Sequence, residues 1–178
     1  MWKSTNDRYG RIARLLHWGM ALLLIALFVT GWWATELGYY DPLYRVIPDL
    51  HRGLGVLAGA LIVLRLAWLL VDRRPALNVS RRWERLAARL GHGLLYLLMV
   101  LVPISGYLMS TADGRGVDVF GLFELPALLS PSSGREEWAG RAHYLLAFGG
   151  AWLVVLHVAA ALKHQFIDRD GTLRKMIG

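Results

Sequence analysis

The 178-residue chain contains no cysteine. This absence excludes disulfide bonds, thiolate zinc sites, iron–sulfur clusters and the C-x-x-C-H attachment site of c-type haem. Charged residues are also scarce, at 19% of the chain, whereas hydrophobic residues make up 56% and the mean hydropathy is +0.40. Such a composition excludes intrinsic disorder and is too apolar for an ordinary soluble domain of this size. The length predicts a single domain over residues 1–178.

Acidic residues are absent from four long apolar stretches. Three of these have no formal charge over 21, 23 and 21 residues, and in the other Arg65 is the only charge between Gly53 and Val71. The stretches are residues 15–35, 52–71, 90–112 and 142–162. Because about 20 residues cross the hydrocarbon core as a helix, the sequence predicts an all-α, integral membrane four-helix bundle with up-down topology.

Basic residues are unevenly divided between the two sides of this bundle. Of the 20 lysines and arginines, 14 lie with the termini and the link between spans two and three, and five lie on the opposite side. The positive-inside rule therefore predicts that both termini are cytoplasmic. The pI of about 10.1 reflects this topology and contact with anionic lipid, so we expect no nucleic-acid partner.

The link between spans three and four contains an apolar stretch, residues 117–129. We expect this stretch to lie on the membrane surface as a short interfacial helix. Neither this link nor the arginine-rich link before span three is long enough to form a second domain.

All six histidines lie in or beside the predicted spans. His51 and His143 are at the outer ends of spans two and four. The four near the cytoplasmic ends are His17, His92, His157 and His164. Ionisable residues in membrane spans usually face the bundle interior and carry a function.

His143 and His157 are 14 residues apart. On a helix this spacing places them on one face, about 21 Å apart along the axis, as expected when one helix supplies a ligand to each of two stacked haems. An outer haem would take His51 and His143, the only histidines at that level. At the inner level His157 is favoured because it shares this face, and its partner is either His17 or His92.

Two further basic side chains have alternative interpretations. Arg65 follows His51 by 14 residues, so it lies on the same face at the inner level, where it could neutralise a haem propionate. It could instead extend its charge to the membrane surface. His164 continues the face of His157 but could equally be a solvated residue at the helix end.

Zinc binding and ion transport are the main rival functions. Imidazole also suits zinc, but two histidines at each level are too few for a closed zinc site. Proton or ion transport usually requires intramembrane acids, and the four spans contain none. A lone intramembrane histidine often does no more than hydrogen-bond to a neighbouring helix. The haem interpretation therefore depends on the combination of two outer histidines, four inner ones and the 14-residue spacing on one helix face.

Several short motifs carry a family resemblance. They are Leu16-His17-Trp18, His51 followed by Gly53, Val63-Leu64-Arg65-Leu66, Gly91-His92, His143 with residues 156–164, and the tail 168–176. Over nearly its whole length the chain resembles the bacterial cytochrome b561 family of inner-membrane di-haem proteins. The resemblance implies a multi-pass bacterial inner-membrane protein with two b haems. It further implies that His17 and His157 hold the inner haem, and His51 and His143 the outer one.

Within this family the chain looks most like superoxide oxidase, which passes electrons from periplasmic superoxide through both haems to ubiquinone. The resemblance implies that His92 and His164 lie at a quinone site on the cytoplasmic side. In the family a basic residue of a Lys-Pro-rich link assists there. This link is arginine-rich instead, and the nearest candidates are Arg81 and Ser80.

Arg52 adjoins His51, and Arg141 is two residues from His143. These arginines could form a local positive funnel that attracts superoxide, even though the outer segments carry a net charge of −3. A second class of function is a cytochrome b subunit that exchanges electrons between the quinone pool and a periplasmic redox protein.

Overall fold

The computed structural model describes residues 1–73, 75 and 81–177. In chain order the elements are α1 (Arg11–Glu36), α2 (Val46–Val71), α3 (Arg82–Ser110), β1 (Val117–Val119), β2 (Phe123–Leu125), α4 (Arg135–Phe166) and α5 (Arg174–Ile177). The four long helices each have the length and apolar composition needed to cross a membrane. The prediction of a helical four-span membrane fold is therefore confirmed.

Apolar side chains cover the outer surface of the four long helices. Leu70 is 88% exposed and Trp152 is 69% exposed, as expected where lipid rather than protein surrounds the helix. The helices also extend beyond the charge-free stretches. α3 begins eight residues before position 90, and α4 begins seven residues before position 142. A helix can continue past the hydrocarbon with charged side chains, because those side chains then lie in water.

The long helices pack chiefly as two antiparallel pairs, α1 with α2 and α3 with α4. In the first pair the Thr30 hydroxyl contacts the His51 ring, and 14 residues further inward along each helix the Leu16 carbonyl accepts a hydrogen bond from Arg65. In the second pair, Lys163 near the end of α4 contacts Glu84 at the start of α3. Between the two pairs, α2 packs on α3. α1 meets α4 through aromatic contacts such as Phe28 on Phe148.

The two ends of the bundle differ, and we name them by what they contain. The terminal end holds the start of α1, the end of α4 and both chain termini. There the Ser4 backbone and hydroxyl donate to Asp72, and the Tyr9 N–H donates to the Lys175 carbonyl. The loop end holds the α1–α2 connection and the β-hairpin.

The expectation of an interfacial helix at residues 117–129 is wrong. Residues 117–125 form a two-stranded antiparallel hairpin whose turn residues, Phe120 and Gly121, have φ angles of 57° and 70°. Two successive positive φ angles are typical of the tight turn that suits twisted hairpin strands. Val117 and Val119 alternate with Asp118, so the period is that of a strand with one buried face.

Candidate functional site

The outer histidines meet across the bundle at the loop end. The ring centres of His51 on α2 and His143 on α4 are 6.0 Å apart, and the ring planes cross at 85°. His143 Nδ1 lies 3.0 Å from the Val102 carbonyl, and His51 Nδ1 lies 3.2 Å from the Thr30 hydroxyl. Both rings therefore use Nδ1 for bonds to a neighbouring helix, and Nε2 has no hydrogen-bond partner among the described residues.

The inner histidines form a group of three around His157. The ring of His17 on α1 lies 6.3 Å from the ring of His157, centre to centre, at an interplanar angle of 60°. The ring of His92 on α3 is closer, at 5.3 Å and 78°. His92 Nδ1 lies 2.6 Å from the Ala88 carbonyl of its own helix. The structure thus brings both sequence-predicted partners to His157.

The separation of the ring centres distinguishes these pairs chemically. An imidazole nitrogen lies about 2 Å from a bound transition metal and about 1 Å from its own ring centre, so two axial imidazoles have centres about 6 Å apart. The pair His51–His143 and the pair His17–His157 match this separation, whereas His92 is closer to His157 than two axial ligands would be. Each of these two pairs has a ring separation at which two histidines could hold a haem iron between them.

Arg65 does not extend toward the membrane surface. Its guanidinium donates to the Leu16 carbonyl at 3.1 Å and to the Tyr96 hydroxyl at 3.1 Å, and it lies 3.1 Å from His17 Nδ1. The charge is thus held between α1, α2 and α3 beside an inner histidine. Tyr96, whose ring also faces the guanidinium, was not identified from the sequence.

His164 belongs to a cluster of charged side chains at the terminal end. Its Nδ1 lies 2.9 Å from Asp168 and 3.0 Å from Asp170. Lys163 lies 2.7 Å from Asp168 and 2.7 Å from Glu84, whose side chain is only 9% exposed. Although Glu84, His164 and Asp168 bring potential metal ligands within 4.8 Å of one another, the Lys163 ammonium already contacts both of these carboxylates.

Asp170 is held in this cluster as a carboxylate. Burial would raise its pKa, but hydrogen bonds from the hydroxyl and backbone N–H of Thr172, together with the neighbouring His164, outweigh that effect. The pKa of Asp170 therefore lies below its ordinary value. This cluster has no periodic signal in the sequence, because Asp168 and Asp170 lie beyond α4 and reach His164 through a turn of the tail.

The predicted quinone residues do not form one contact group. No hydrogen bond or ring contact joins His92 to His164 within the part of the chain that the structure describes. Arg81 is the residue immediately before α3 and is exposed, three positions before Glu84. Ser80 lies outside the described residues.

The two outer arginines are exposed and each is paired with an acid one turn earlier. Arg52 lies 3.0 Å from Asp49, and Arg141 lies 2.7 Å from Glu137. Exposed pairs of this kind contribute only about 0–1 kcal/mol, so each guanidinium can exchange its partner for an approaching anion. The pairing nevertheless offsets much of the positive charge near the outer histidines.

Comparison with known proteins identifies the family. A family model described as prokaryotic cytochrome b561 matches residues 8–178. The chain is 42% identical to cytochrome b561 homolog 2 of Escherichia coli K12 over 176 residues, which cover 98% of this chain and 94% of that protein. It is 30% identical to cytochrome b562 of Cereibacter sphaeroides, over 95% and 94% of the two chains. It is 28% identical to the probable superoxide oxidase CybB of Yersinia pestis, over 97% of each.

The chain belongs to the prokaryotic cytochrome b561 family. It is accordingly a multi-pass inner-membrane redox protein that binds b haem and carries electrons across the membrane. The predictions of haem, of transmembrane electron transfer and of an inner-membrane location are confirmed at this level.

Proposed function

We propose that the protein oxidises periplasmic superoxide and reduces ubiquinone. One haem b binds between His51 and His143, and a second binds between His17 and His157. The observation that carries the proposal is the presence of two imidazole pairs at two depths, with ring centres 6.0 Å and 6.3 Å apart. The relative named as a probable superoxide oxidase, 28% identical over 97% of this chain, supports superoxide as the donor.

The reaction balances without any further reactant. Two superoxide anions each lose one electron and become two molecules of O₂, while ubiquinone gains two electrons and two protons and becomes ubiquinol. When bound, each haem b carries one electron at a time through its iron. The two histidine pairs lie about 21 Å apart along α4, which spans most of the hydrocarbon core.

At the loop end the chain must receive an anion. Arg52 and Arg141 flank the outer histidines and are the proposed superoxide funnel. Because their bonds to Asp49 and Glu137 are exposed and weak, superoxide can compete for them. We place this end in the periplasm and both chain termini in the cytoplasm, following the distribution of the basic residues.

At the inner level Arg65 is the proposed propionate partner. It now lies 3.1 Å from His17 Nδ1. If His17 held a haem iron through Nε2, its Nδ1 would carry the proton and could not accept a hydrogen bond from Arg65. One side of the guanidinium would then be available to a carboxylate, while the contacts with Leu16 and Tyr96 keep it between the helices.

Ubiquinone is proposed to bind at the terminal end, near His92, His164, Arg81 and Ser80. His164 is linked to Asp168 and Asp170, so titratable groups extend from this residue to the surface of the tail. Such a set can hold and pass the two protons that quinone reduction consumes. His92, on another helix, reaches the same end beside His157.

The test is superoxide-driven quinol formation by purified haem-loaded protein in liposomes that contain ubiquinone. We expect one ubiquinol for every two superoxide anions, and no ubiquinol when superoxide dismutase is added. Replacing both funnel residues, Arg52→Gln with Arg141→Gln, is expected to lower the rate and weaken its dependence on salt. Haem-loaded protein that forms no quinol from superoxide would contradict the proposal and favour an electron-transfer subunit that serves a periplasmic redox protein.

A further inference from the structure

The outer histidines occupy two matching environments. His51 on α2 contacts Thr30 and Gly31 of α1, and His143 on α4 contacts Ser105 and Gly106 of α3. In each helix pair, a hydroxyl residue followed directly by glycine thus faces a histidine from the neighbouring helix.

A hydroxyl lies beside the same ring nitrogen in both places. His51 Nδ1 is 3.2 Å from Thr30 Oγ1. His143 Nδ1 is 3.3 Å from Ser105 Oγ and 3.0 Å from the carbonyl of Val102, three residues earlier. Each hydroxyl donates its own proton to a carbonyl of its helix and can therefore accept from the imidazole.

The glycines leave room for the rings. A Cβ atom at Gly31 would lie 2.8 Å from His51 Cε1, and one at Gly106 would lie 3.0 Å from His143 Cε1. Any larger residue at either position would force the imidazole to move. The glycine thus fixes how closely the ring approaches the helix, and the hydrogen bonds fix its rotation.

The inner histidines lack this arrangement in the described residues. His17 Nδ1 faces the Arg65 guanidinium. A Cβ atom added to any glycine of the described residues would not have His17 or His157 among its nearest neighbours within 4 Å. A ring nitrogen that donates to a carbonyl makes the imidazole a stronger electron donor to iron, whereas a nearby guanidinium has the opposite effect. The outer ligand pair is therefore the stronger electron donor of the two.

We propose that Thr30–Gly31 and Ser105–Gly106 form a pair of imidazole clamps that fix the Nδ1 proton and the crossed ring planes of His51 and His143. The clamps lower the reduction potential of the outer haem relative to the inner one and so direct electrons inward. This inference rests on the proposed ligand assignment. The four clamp residues are positioning residues, since they act through the histidines.

Redox titration and electron paramagnetic resonance of the oxidised, haem-loaded protein test the clamps. We expect Thr30→Val and Ser105→Ala each to raise the midpoint potential of the outer haem, with both haems retained, because the ligand loses an acceptor for Nδ1–H. Gly31→Ala and Gly106→Ala are expected to change the spread of g values in the paramagnetic resonance signal of the outer haem, because this spread depends on the angle between the planes of the two histidine rings. If the added methyl displaces the ring further, the protein should lose the outer haem and keep the inner one.

The matched controls are Gly19→Ala on α1 and Gly93→Ala on α3, because a Cβ at either position meets no atom within 4 Å. They should leave the outer potential and signal unchanged. Outer potentials and signals that are unaltered in all four clamp variants would overturn the inference. The ligand assignment fails separately, if His51→Ala or His143→Ala protein still binds the outer haem.

Discussion

At the scale of single residues, the histidines are distinguished by what their ring nitrogens contact. His51 and His143 use Nδ1 for a neighbouring helix, and His17 has the Arg65 guanidinium beside Nδ1. His92 uses Nδ1 for the carbonyl of Ala88, one turn earlier on its own helix. Ring separation adds a second distinction, because His17 but not His92 lies at the distance from His157 expected of a second axial ligand.

The choice between His17 and His92 can be tested directly by substitution. We expect His17→Ala to reduce the haem content from two to one per chain, because its removal leaves the inner iron one axial ligand. His92→Ala, the matched control on the facing helix, should retain both haems. The pyridine haemochrome assay with a protein determination measures this ratio. Loss of a haem from His92→Ala but not from His17→Ala would reverse the assignment.

At the scale of secondary-structure elements, the β-hairpin packs on the outer end of α2. Phe120 at its turn adopts a left-handed backbone conformation, and its ring lies over the buried Gly53, two residues after His51. A Cβ at Gly53 would be 2.6 Å from the Phe120 ring. On α3, the Tyr107 hydroxyl donates to the Pro126 carbonyl, which ties the chain after the hairpin to the bundle.

This packing predicts a specific compensation between two substitutions. Gly53→Ala should destabilise the protein by about 1–3 kcal/mol, because the added methyl displaces the Phe120 ring. Phe120→Ala should then cost less in the Gly53→Ala background than in the wild type. Thermal unfolding of all four proteins in detergent measures the coupling. Strictly additive effects would show that the ring does not rest on Gly53.

The segment before α1 is attached to the end of α2 through Asp72. Burial alone would raise the pKa of Asp72, but hydrogen bonds from the Ser4 hydroxyl and backbone and from Trp68 outweigh it and hold this pKa below its ordinary value of 3.8. Because the folded-state pKa is lowered, the carboxylate stabilises the contact above the ordinary value. That contribution disappears as the pH falls through the folded-state pKa.

Hydrogen exchange of residues 1–10 at several pH values tests this attachment. Asp72→Asn should expose the segment at pH 7, and the difference from the wild type should shrink as the pH falls below about 4. Asp7→Asn, in the same segment, serves as the control and should behave like the wild type at pH 7. A difference that stays constant down to pH 3 would contradict the role of the Asp72 charge.

At the scale of the whole molecule, the two antiparallel helix pairs each contribute one outer and one inner histidine to the proposed set of haem ligands. α2 and α4 supply the outer pair, and α1 and α4 supply the proposed inner pair. The terminal end gathers both chain termini, and the Arg14 side chain and the Trp18 indole donate to the carbonyls of Ile177 and Met176. Such an arrangement requires both termini to be on one side of the membrane.

Reporter fusions test which side this is. We expect a reporter that is active only in the cytoplasm to be active at either terminus. A reporter that is active only in the periplasm should be active when it is inserted at the hairpin turn, next to Gly121. The reason is the excess of lysine and arginine at the terminal end. Periplasmic activity at the termini would reverse the direction of electron transfer that we propose.

Much of this organisation could be predicted from the sequence, because membrane spans and a helical spacing of histidines are local patterns. The 14-residue spacing of His143 and His157 required only helix geometry. The hairpin was missed since its valines were interpreted only as apolar and not by their alternation. The clamps at Gly31 and Gly106 could not be found, because the register between helices is set by packing across the bundle.

The most direct test of the account is a reduced-minus-oxidised spectrum of the purified chain, combined with the ratio of haem to protein. Two histidine pairs at the separation of axial ligands predict two b haems per chain. A ratio of two, with the spectrum of a b-type cytochrome, would agree with the account. A ratio of one, or a colourless protein after expression with ample haem, would contradict it.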